Sequence, residues 1–253
     1  MSETSPFVPL PSAGRRFTAS RRVRWGDVDR HRRLRLDAVA RYLQDVANDD
    51  TRDLGQDPMA PWIVRRTTIA IDEPPALGEV LHLTTFGGGV GSRWAERRTS
   101  VVGKRGARVE AASLWISIDA ATGRPARLTD QFLASYGEVA AGRQVSARLR
   151  HERPDAGAAR RAWSLRSTDH DPLGRVNNAA TWEPVEDELA RREVVPRWAE
   201  IEYGDAIEPA DDVTLVSQAD PAGTVQVWLT VDGAVRASVV VRPADDTGRA
   251  RRP

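Results

Sequence analysis

Apolar residues recur along the chain with two different periods, one typical of helices and one of strands. A helical period runs from residue 36 to residue 47, with Leu36, Val39, Ala40, Leu43, Val46 and Ala47 at i, i+3, i+4, i+7 spacing. Four strand-like segments follow, "WIVRRTTIAI", "EVLHLTTF", "RWAERRTSVV" and "RVEAASLWISI". Turns rich in Gly, Pro and Asp separate them. The first half therefore predicts a strand, a turn, one long helix and then about four antiparallel strands.

The second half repeats this order. A helical pattern on Ala179, Trp182, Val185 and Leu189 precedes "AEIEYGDAI", "DVTLVSQA", "TVQVWLTV" and "VRASVVVRP". Four polar residues recur as well, each 142 positions later: Arg24, Asp27, Asp29 and Arg33 return as Arg166, Asp169, Asp171 and Arg175. A shared offset of this kind indicates an internal duplication.

We therefore predict an N-terminal unit over residues 1–140, a linker over 141–160 and a C-terminal unit over 161–253. The linker is assigned from its Gly, Ala, Arg and Pro content and its weak periodicity. Each unit is expected to be α+β, with an antiparallel sheet wrapped around one long helix. A single irregular α+β domain is the alternative.

The amino-acid composition excludes several kinds of site and partner. The 253 residues include no cysteine, which excludes disulfides, thiolate metal sites and cysteine nucleophiles. The four histidines lie far apart in sequence, so we expect neither a metal nor a cofactor. A net charge of +1 does not favour nucleic acid as a partner. No apolar run approaches the roughly 20 residues of a membrane span, and the N-terminus lacks the apolar core of a signal peptide. A cytoplasmic location is expected.

The segment 169–182, "DHDPLGRVNNAATW", carries the strongest candidate chemistry, and with three other segments it resembles a known family. These are "RLRLDAVARYLQDVANDD" (33–50), "RWAERRTSVV" (93–102) and "ASLWISIDAATGRPARL" (112–128). Together they resemble the acyl-acyl carrier protein thioesterases. The resemblance covers almost the whole chain and implies a tandem (double) hotdog fold. It also implies hydrolysis of fatty acyl thioesters in fatty acid biosynthesis, with acyl carrier protein as the partner.

The resemblance also allows the catalytic positions of the family to be compared with this sequence one by one. Plant-type members carry Asp-x-Asn-x-His before Val-Asn-Asn, and in this register Asp171 matches the Asp. Leu173 then stands at the Asn, Arg175 at the His, and Ala206 and Ile207 at a later Glu and Cys. The chain also resembles hotdog acyl-CoA thioesterases of the 4-hydroxybenzoyl type. In those the Asp aligned with Asp171 is the only essential carboxylate, and the backbone N–H aligned with Asn178 polarises the carbonyl.

Thioester hydrolysis needs an activated water or an attacking carboxylate, and donors for the developing oxyanion. Asp171 could activate the water or attack the carbonyl itself. The Asn178 amide, at the start of a helix, could donate to the oxyanion. Each has a structural alternative, Asp171 as a turn residue and Asn178 as an N-cap. On a helical wheel starting at Ala179, Glu186 falls inside the apolar sector, where a carboxylate is costly unless used or paired. Glu183, Asp187 and Glu188 fall toward solvent.

Arginine stays protonated, so Arg175 could hold the substrate or polarise its carbonyl but not act as a base. His170 is expected to point away from Asp171 because neighbouring strand residues face opposite sides. We therefore predict Asp171, Glu186, Asn178 and Arg175 as catalytic residues of a thioester hydrolase. The substrate is an acyl-acyl carrier protein or an acyl-CoA. A non-catalytic acyl-binding or regulatory double-hotdog protein is the alternative, a dehydratase is a third interpretation, and a homodimer stays open.

Overall fold

The chain divides into two compact units. The computed structural model describes residues 7–57 and 62–244. The N-terminal unit comprises Met1–Leu34 and Arg41–Arg148, and the C-terminal unit comprises Arg35–Ala40 and Leu149–Pro253. The two ends of the proposed linker, residues 141–160, therefore cluster with different units, and the linker remains a proposal.

The N-terminal unit is built on a five-stranded antiparallel sheet. Its elements are β1 (Arg16–Arg22), α1 (Leu36–Asp53), β2 (Trp62–Glu73), β3 (Val80–Val90), β4 (Trp94–Gly103), β5 (Arg108–Ser117) and α2 (Asp130–Ala140). The strand order is β1-β3-β4-β5-β2, with every neighbouring pair antiparallel. The first strand, the long helix and the four later strands predicted for this half are present, and α2 is an additional helix that the periodicity does not predict.

The C-terminal unit repeats the plan with a shorter helix. Its elements are β6 (Ala159–Trp163), α3 (Glu183–Arg191), β7 (Pro196–Tyr203), β8 (Val213–Ala219), β9 (Val225–Val231) and β10 (Ala234–Pro243). The strand order is β7-β10-β9-β8-β6, and the neighbours are antiparallel. Both units thus have the α+β hotdog architecture that the sequence predicts.

The duplication is visible in the hydrogen bonds of the turn that precedes each helix. The Arg24 N–H donates to Asp27 Oδ2 over 2.9 Å, and the Arg166 N–H donates to Asp169 Oδ2 over 2.8 Å. Five residues further on, the Asp29 N–H donates to the Arg33 carbonyl, and the Asp171 N–H to the Arg175 carbonyl, both over 2.8 Å. The 142-residue offset read from the sequence therefore joins residues with the same local structure.

Glu188 corrects one detail of the helical-wheel prediction, because it is 6% exposed instead of facing solvent. Ala180–Trp182 form a 3-10 turn ahead of α3. Each residue of such a turn rotates by about 120° instead of 100°, so the wheel drawn from Ala179 is out of phase by about 60°. Allowing for this places Glu186 and Glu188 on opposite edges of the buried sector.

The polar groups nearest the Glu188 carboxylate belong to Arg192, Ser217 and Arg161. Glu188 Oε1 accepts from Arg192 Nε and Ser217 Oγ, both at 2.7 Å, and Arg161 Nε lies 3.6 Å from Oε2. Burial alone would raise the pKa of Glu188, but the hydrogen bonds from Ser217 and Arg192 outweigh it and hold the pKa below its usual value. The folded state therefore gains stability from ionised Glu188 above the ordinary glutamate pKa and loses it as pH falls through the lowered value.

We expect Glu188→Gln to lower the free energy of unfolding by about 2 kcal/mol at pH 7, because two arginines lose a buried carboxylate. Urea unfolding should show the difference from wild type shrinking as pH falls below the ordinary glutamate pKa of about 4.3 and through the lowered pKa of Glu188. Asp187→Asn is the control, since its partner Arg161 is the same but its side chain is 48% exposed. A pH-independent difference would contradict the assignment.

Candidate functional site

Asp171 lies at the head of a tight turn in the C-terminal unit. Its Oδ1 accepts the N–H groups of Leu173 at 2.9 Å and Arg175 at 3.3 Å. The Asp171 carbonyl accepts the Gly174 N–H at 2.9 Å, and Gly174 takes the left-handed conformation with φ +77°. Asp171 therefore does stabilise a turn, as the structural alternative predicts, but the turn uses only one of its two carboxylate oxygens. Among the described residues, no group donates to Asp171 Oδ2.

The equivalent aspartate of the N-terminal unit differs at its second oxygen. Asp29 Oδ1 likewise accepts two turn N–H groups, from His31 and Arg33. Its Oδ2 is held by the Arg33 guanidinium, with Nε at 2.9 Å and Nη2 at 2.7 Å. The duplicated turn therefore ties up both carboxylate oxygens in one unit and only one in the other.

The two asparagines after the turn have separate roles. Asn177 Oδ1 accepts the Ala179 N–H at 2.8 Å, so Asn177 is the side-chain cap, and the N-cap alternative offered for Asn178 is wrong. The Asn178 carbonyl accepts the Tyr203 hydroxyl at 3.0 Å. No described residue accepts a hydrogen bond from the Asn178 backbone N–H. This amide is the one proposed as the oxyanion donor.

Two of the positions predicted to differ from the family's catalytic residues, Leu173 and Arg175, lie in this same turn after Asp171. Arg175 is exposed, and Leu173 is 70% exposed. The Val176 N–H donates to the Ile207 carbonyl at 3.1 Å, so the backbone at residue 207 contacts the turn. The register that places Leu173, Arg175, Ala206 and Ile207 at the family's catalytic positions stays a prediction.

Glu186 is half-buried and accepts the Leu36 N–H at 2.5 Å through Oε1. Leu36 begins α1 and clusters with the C-terminal unit. A carboxylate at a helix N-terminus satisfies a free N–H and meets the positive end of the helix dipole. Glu186 thus has a structural role that periodicity did not predict, and its catalytic role stays a prediction.

A cavity of about 600 Å³ lies within the N-terminal unit. Aromatic residues form much of its wall, namely Trp62, Phe86, Trp115, Phe132 and Tyr136. Polar groups include Asn48, Thr51, Gln56 and Arg97. None of the four predicted catalytic residues lines this cavity, and sequence reasoning did not find it.

Beneath the cavity lies a buried charge cluster centred on Asp50, which is 1% exposed. Arg15 donates to Asp50 Oδ1 through Nε at 2.9 Å and Nη2 at 2.6 Å. Arg97 Nη1 lies 2.5 Å from Oδ2, and the Tyr136 hydroxyl donates to the same oxygen at 2.6 Å. A signal for this cluster does exist in the sequence. Asp50 continues the apolar stripe of α1 at the next helical position after Val46, where a carboxylate needs a partner.

One further group has the composition of a metal site. His151, Glu200 and Glu202 bring a nitrogen and two carboxylate oxygens within 4.8 Å of one another. Glu202, however, already accepts the N–H groups of Arg150 and His151 at 2.9–3.0 Å. His151 Nδ1 lies 3.0 Å from Ser238 Oγ. These contacts fasten the segment that enters the C-terminal unit to β7 and β10, and we assign the group that structural role.

Comparison with known proteins identifies the family. Residues 14–136 match the family model described as the acyl-ACP thioesterase N-terminal domain. An uncharacterised protein of Mycobacterium tuberculosis is 31% identical over 240 residues, covering 93% of this chain and 95% of its own. The chain belongs to the acyl-ACP thioesterase family. Solved members of similar fold extend the likeness across both units.

The 12:0-ACP thioesterase from Umbellularia californica has a TM-score of 0.76 at 18% identity, covering 93% of this chain and 100% of its own. A protein assigned as an oleoyl thioesterase from Lactobacillus plantarum has a TM-score of 0.80 at 19% identity, covering 93% and 99%. At these identities the two structures show the fold, which is the tandem hotdog fold of acyl-ACP thioesterases. No helix among the described residues is long and apolar enough to cross a membrane.

Proposed function

We propose that this member of the acyl-ACP thioesterase family hydrolyses fatty acyl thioesters and releases the free fatty acid. The observation that carries the proposal is the turn at Asp171, which fixes one carboxylate oxygen and leaves the other without a described partner. In the duplicate turn, Arg33 occupies the corresponding oxygen of Asp29. We therefore place the reaction in the C-terminal unit.

Asp171 is the proposed base or nucleophile. Its Oδ1 is anchored by the Leu173 and Arg175 N–H groups, so the carboxylate plane is fixed before substrate arrives. Its Oδ2 can then accept a proton from water attacking the thioester carbonyl, or attack that carbon itself. The thiolate leaves without a general acid, since a thiol has a pKa of about 8.5 and leaves readily near neutral pH.

The remaining predicted residues would act on the carbonyl and the water. The Asn178 N–H is the proposed oxyanion donor, because it stands in the first turn of the helical segment and no described residue takes it. Arg175, exposed beside the turn, is proposed to hold the anionic carrier arm of the substrate. Glu186 is proposed to orient water in addition to capping Leu36.

An acyl carrier protein is the proposed partner, with acyl-CoA as the alternative thioester. Its acidic surface would meet exposed arginines near the turn, such as Arg175. Opposite charge accelerates encounter more than it tightens the complex. A role in fatty acid biosynthesis in the cytoplasm belongs to the same proposal.

The test is hydrolysis of matched C8 to C18 acyl-carrier and acyl-CoA thioesters at neutral pH. We expect turnover of the carrier series, with kcat/KM falling as salt rises because screening slows the encounter. A higher kcat/KM for the CoA series than for the carrier series would favour the CoA ester. Absence of hydrolysis for every ester in both series would contradict the proposal.

The observation that favours a second candidate is the set of side chains at Leu173, Arg175 and Ala206. They stand where plant-type members carry amide, imidazole and carboxylate groups, and Ile207 contacts the turn through its carbonyl. A protein that binds acyl chains without cleaving them would need none of those groups. Saturable binding of an acyl thioester that is recovered intact would support this candidate.

A further inference from the structure

The turn that precedes α1 differs from its duplicate in the C-terminal unit at its exposed positions. Trp25 stands where the duplicate has Ser167. Exposed basic residues also replace a Pro-Leu-Gly turn, namely Arg30, His31 and Arg32 in place of Pro172, Leu173 and Gly174. The two turns share their backbone hydrogen bonds. These exchanges therefore change the surface of the turn and not its backbone fold.

Among the described residues, Trp25 is the most exposed large hydrophobic side chain, at 78%. It begins a single 3-10 turn, and its chain neighbours Arg24 and Gly26 are exposed as well. The other apolar side chains of the segment 22–32, those of Val23 and Val28, are buried. Trp25 therefore projects from a polar surface and does not belong to an apolar patch of this segment.

Arg32 has a backbone conformation that arginine rarely adopts. Its φ is +64°, in the left-handed region, and the equivalent residue of the duplicate is Gly174 with φ +77°. A side chain is disfavoured in this region, whereas glycine enters it freely. The Arg32 guanidinium has no acceptor among the described residues. A strained position whose side chain makes no contact within the protein points to a function at the surface.

Further basic residues meet Arg32 around the loop at residues 76–79. The Arg32 carbonyl accepts the Leu77 N–H at 3.0 Å, and Arg22 Nη1 donates to the Gly78 carbonyl at 3.1 Å. Arg105 Nη2 donates to the Leu77 carbonyl at 2.7 Å. We call the following exposed residues the basic surface: Arg22, Arg24, Trp25, Arg30, His31, Arg32, Lys104 and Arg105.

The carboxylates that hydrogen-bond to the basic surface leave it positively charged. Asp29 is bound by the Arg33 guanidinium at 2.7 Å, and Asp27 lies 3.7 Å from Arg41. These two carboxylates thus compensate arginines that are not part of the surface. Glu79 is buried and accepts backbone N–H groups. The six arginine and lysine side chains of the basic surface therefore retain a net positive charge.

An exposed tryptophan among cations matches the headgroup layer of an anionic lipid bilayer. Tryptophan has an apolar ring and a polar N–H and favours that layer. Arginine and lysine are attracted to the negative surface potential of anionic lipids, and arginine pairs with phosphate groups. A protein partner would instead bury an apolar core at its interface. The segment 22–32 offers no such core around Trp25.

We propose that the basic surface binds anionic lipid bilayers, with Trp25 in the headgroup layer and the arginines on the lipid phosphates. This binding goes beyond thioester hydrolysis and does not require it. Where the proposed hydrolysis takes place, the fatty acid that is released would partition into the same bilayer.

The test is cosedimentation of the full chain with vesicles. One set is phosphatidylcholine alone, and the other contains about 30% phosphatidylserine to supply the negative charge. Each basic residue near an anionic surface contributes about fivefold in affinity. We therefore expect at least about tenfold tighter binding to the phosphatidylserine vesicles, and weaker binding as salt rises. Equal binding to both sets, or binding to neither, would overturn the proposal whether or not the protein hydrolyses thioesters.

Two variants take the residue that the duplicate turn carries, so both should keep the fold. Arg32→Gly should reduce affinity for phosphatidylserine vesicles about fivefold. Trp25→Ser should reduce it about tenfold, because part of a large ring no longer leaves water. Arg160→Gln is the matched control, since it removes the same charge at an exposed position of the C-terminal unit and should bind as wild type does.

Vesicle binding at the wild-type level by both Trp25→Ser and Arg32→Gly would overturn the proposal. Two other occupants of the basic surface can be recognised in the same set of proteins. Binding of an acidic carrier protein that requires Trp25 and Arg32, without binding to vesicles, would replace the bilayer by a protein partner. A wild-type dimer that Trp25→Ser dissociates, again without vesicle binding, would replace it by a second copy of this chain.

Discussion

Asp171→Asn is expected to lower kcat/KM for acyl thioesters by at least about 100-fold, the usual scale for losing a general base. The substitution removes the proposed catalytic oxygen and keeps the hydrogen bonds that hold the turn. An asparagine Oδ1 can still accept the Leu173 and Arg175 N–H groups that hold the turn, so the loop should keep its shape. The oxygen proposed to act on water or on the carbonyl is replaced by an amide nitrogen, which cannot accept a proton.

The duplicated turn provides the control for this experiment. Asp29→Asn makes the same chemical change at the equivalent position of the N-terminal unit, where Oδ2 is bound by Arg33. It should leave kcat/KM within about twofold of wild type and cost only the modest energy of a partly exposed ion pair. If Asp29→Asn abolishes activity and Asp171→Asn does not, the reaction has been placed in the wrong unit.

Local patterns predicted most of the fold because hydrophobic periodicity is a local property. The stripe from Leu36 to Ala47 gave α1, and the alternating segments gave the long strands of both units. The helix α2 was not predicted from periodicity, because only three of its 11 residues are buried. Its Thr129 cap, which accepts the Phe132 N–H, is a start signal that the sequence does carry.

The candidate site was predictable only where it is contained in one stretch of sequence. The turn from Asp169 to Asn178 is such a stretch, and its residues could be named together. The cavity wall is different, because it joins residues as distant as Asn48, Arg97 and Tyr136. The packing of α1 and α2 against the sheet brings these residues together, and a single sequence contains no measure of that packing. The contact between Glu186 and Leu36 joins two helices 150 residues apart and could not be predicted for the same reason.

Asp50→Asn is expected to be the most destabilising single change of a polar residue in the N-terminal unit, at about 3–5 kcal/mol of unfolding free energy. The substitution removes the carboxylate that compensates both Arg97 and Arg15, which are partly buried, and leaves Arg15 with Asp53 alone. The amide cannot replace it, since its NH2 group would point a donor at a guanidinium or at the Tyr136 hydroxyl. Burial and the nearby Asp50 raise the pKa of Tyr136 even though Arg97 opposes the shift, so the phenol keeps its proton and remains a donor to Asp50.

Asp53→Asn is the matched control, because Asp53 binds the same Arg15 at 2.7 Å but is half-exposed. It should cost less than about 1 kcal/mol. Urea unfolding followed by tryptophan fluorescence measures both variants, since Trp62 and Trp115 report on the same unit. Equal losses for the two variants would mean that Asp50 contributes no more than a surface ion pair. A large loss confined to Asp50→Asn would instead establish that its carboxylate is what allows Arg97 to stand charged in the cavity wall.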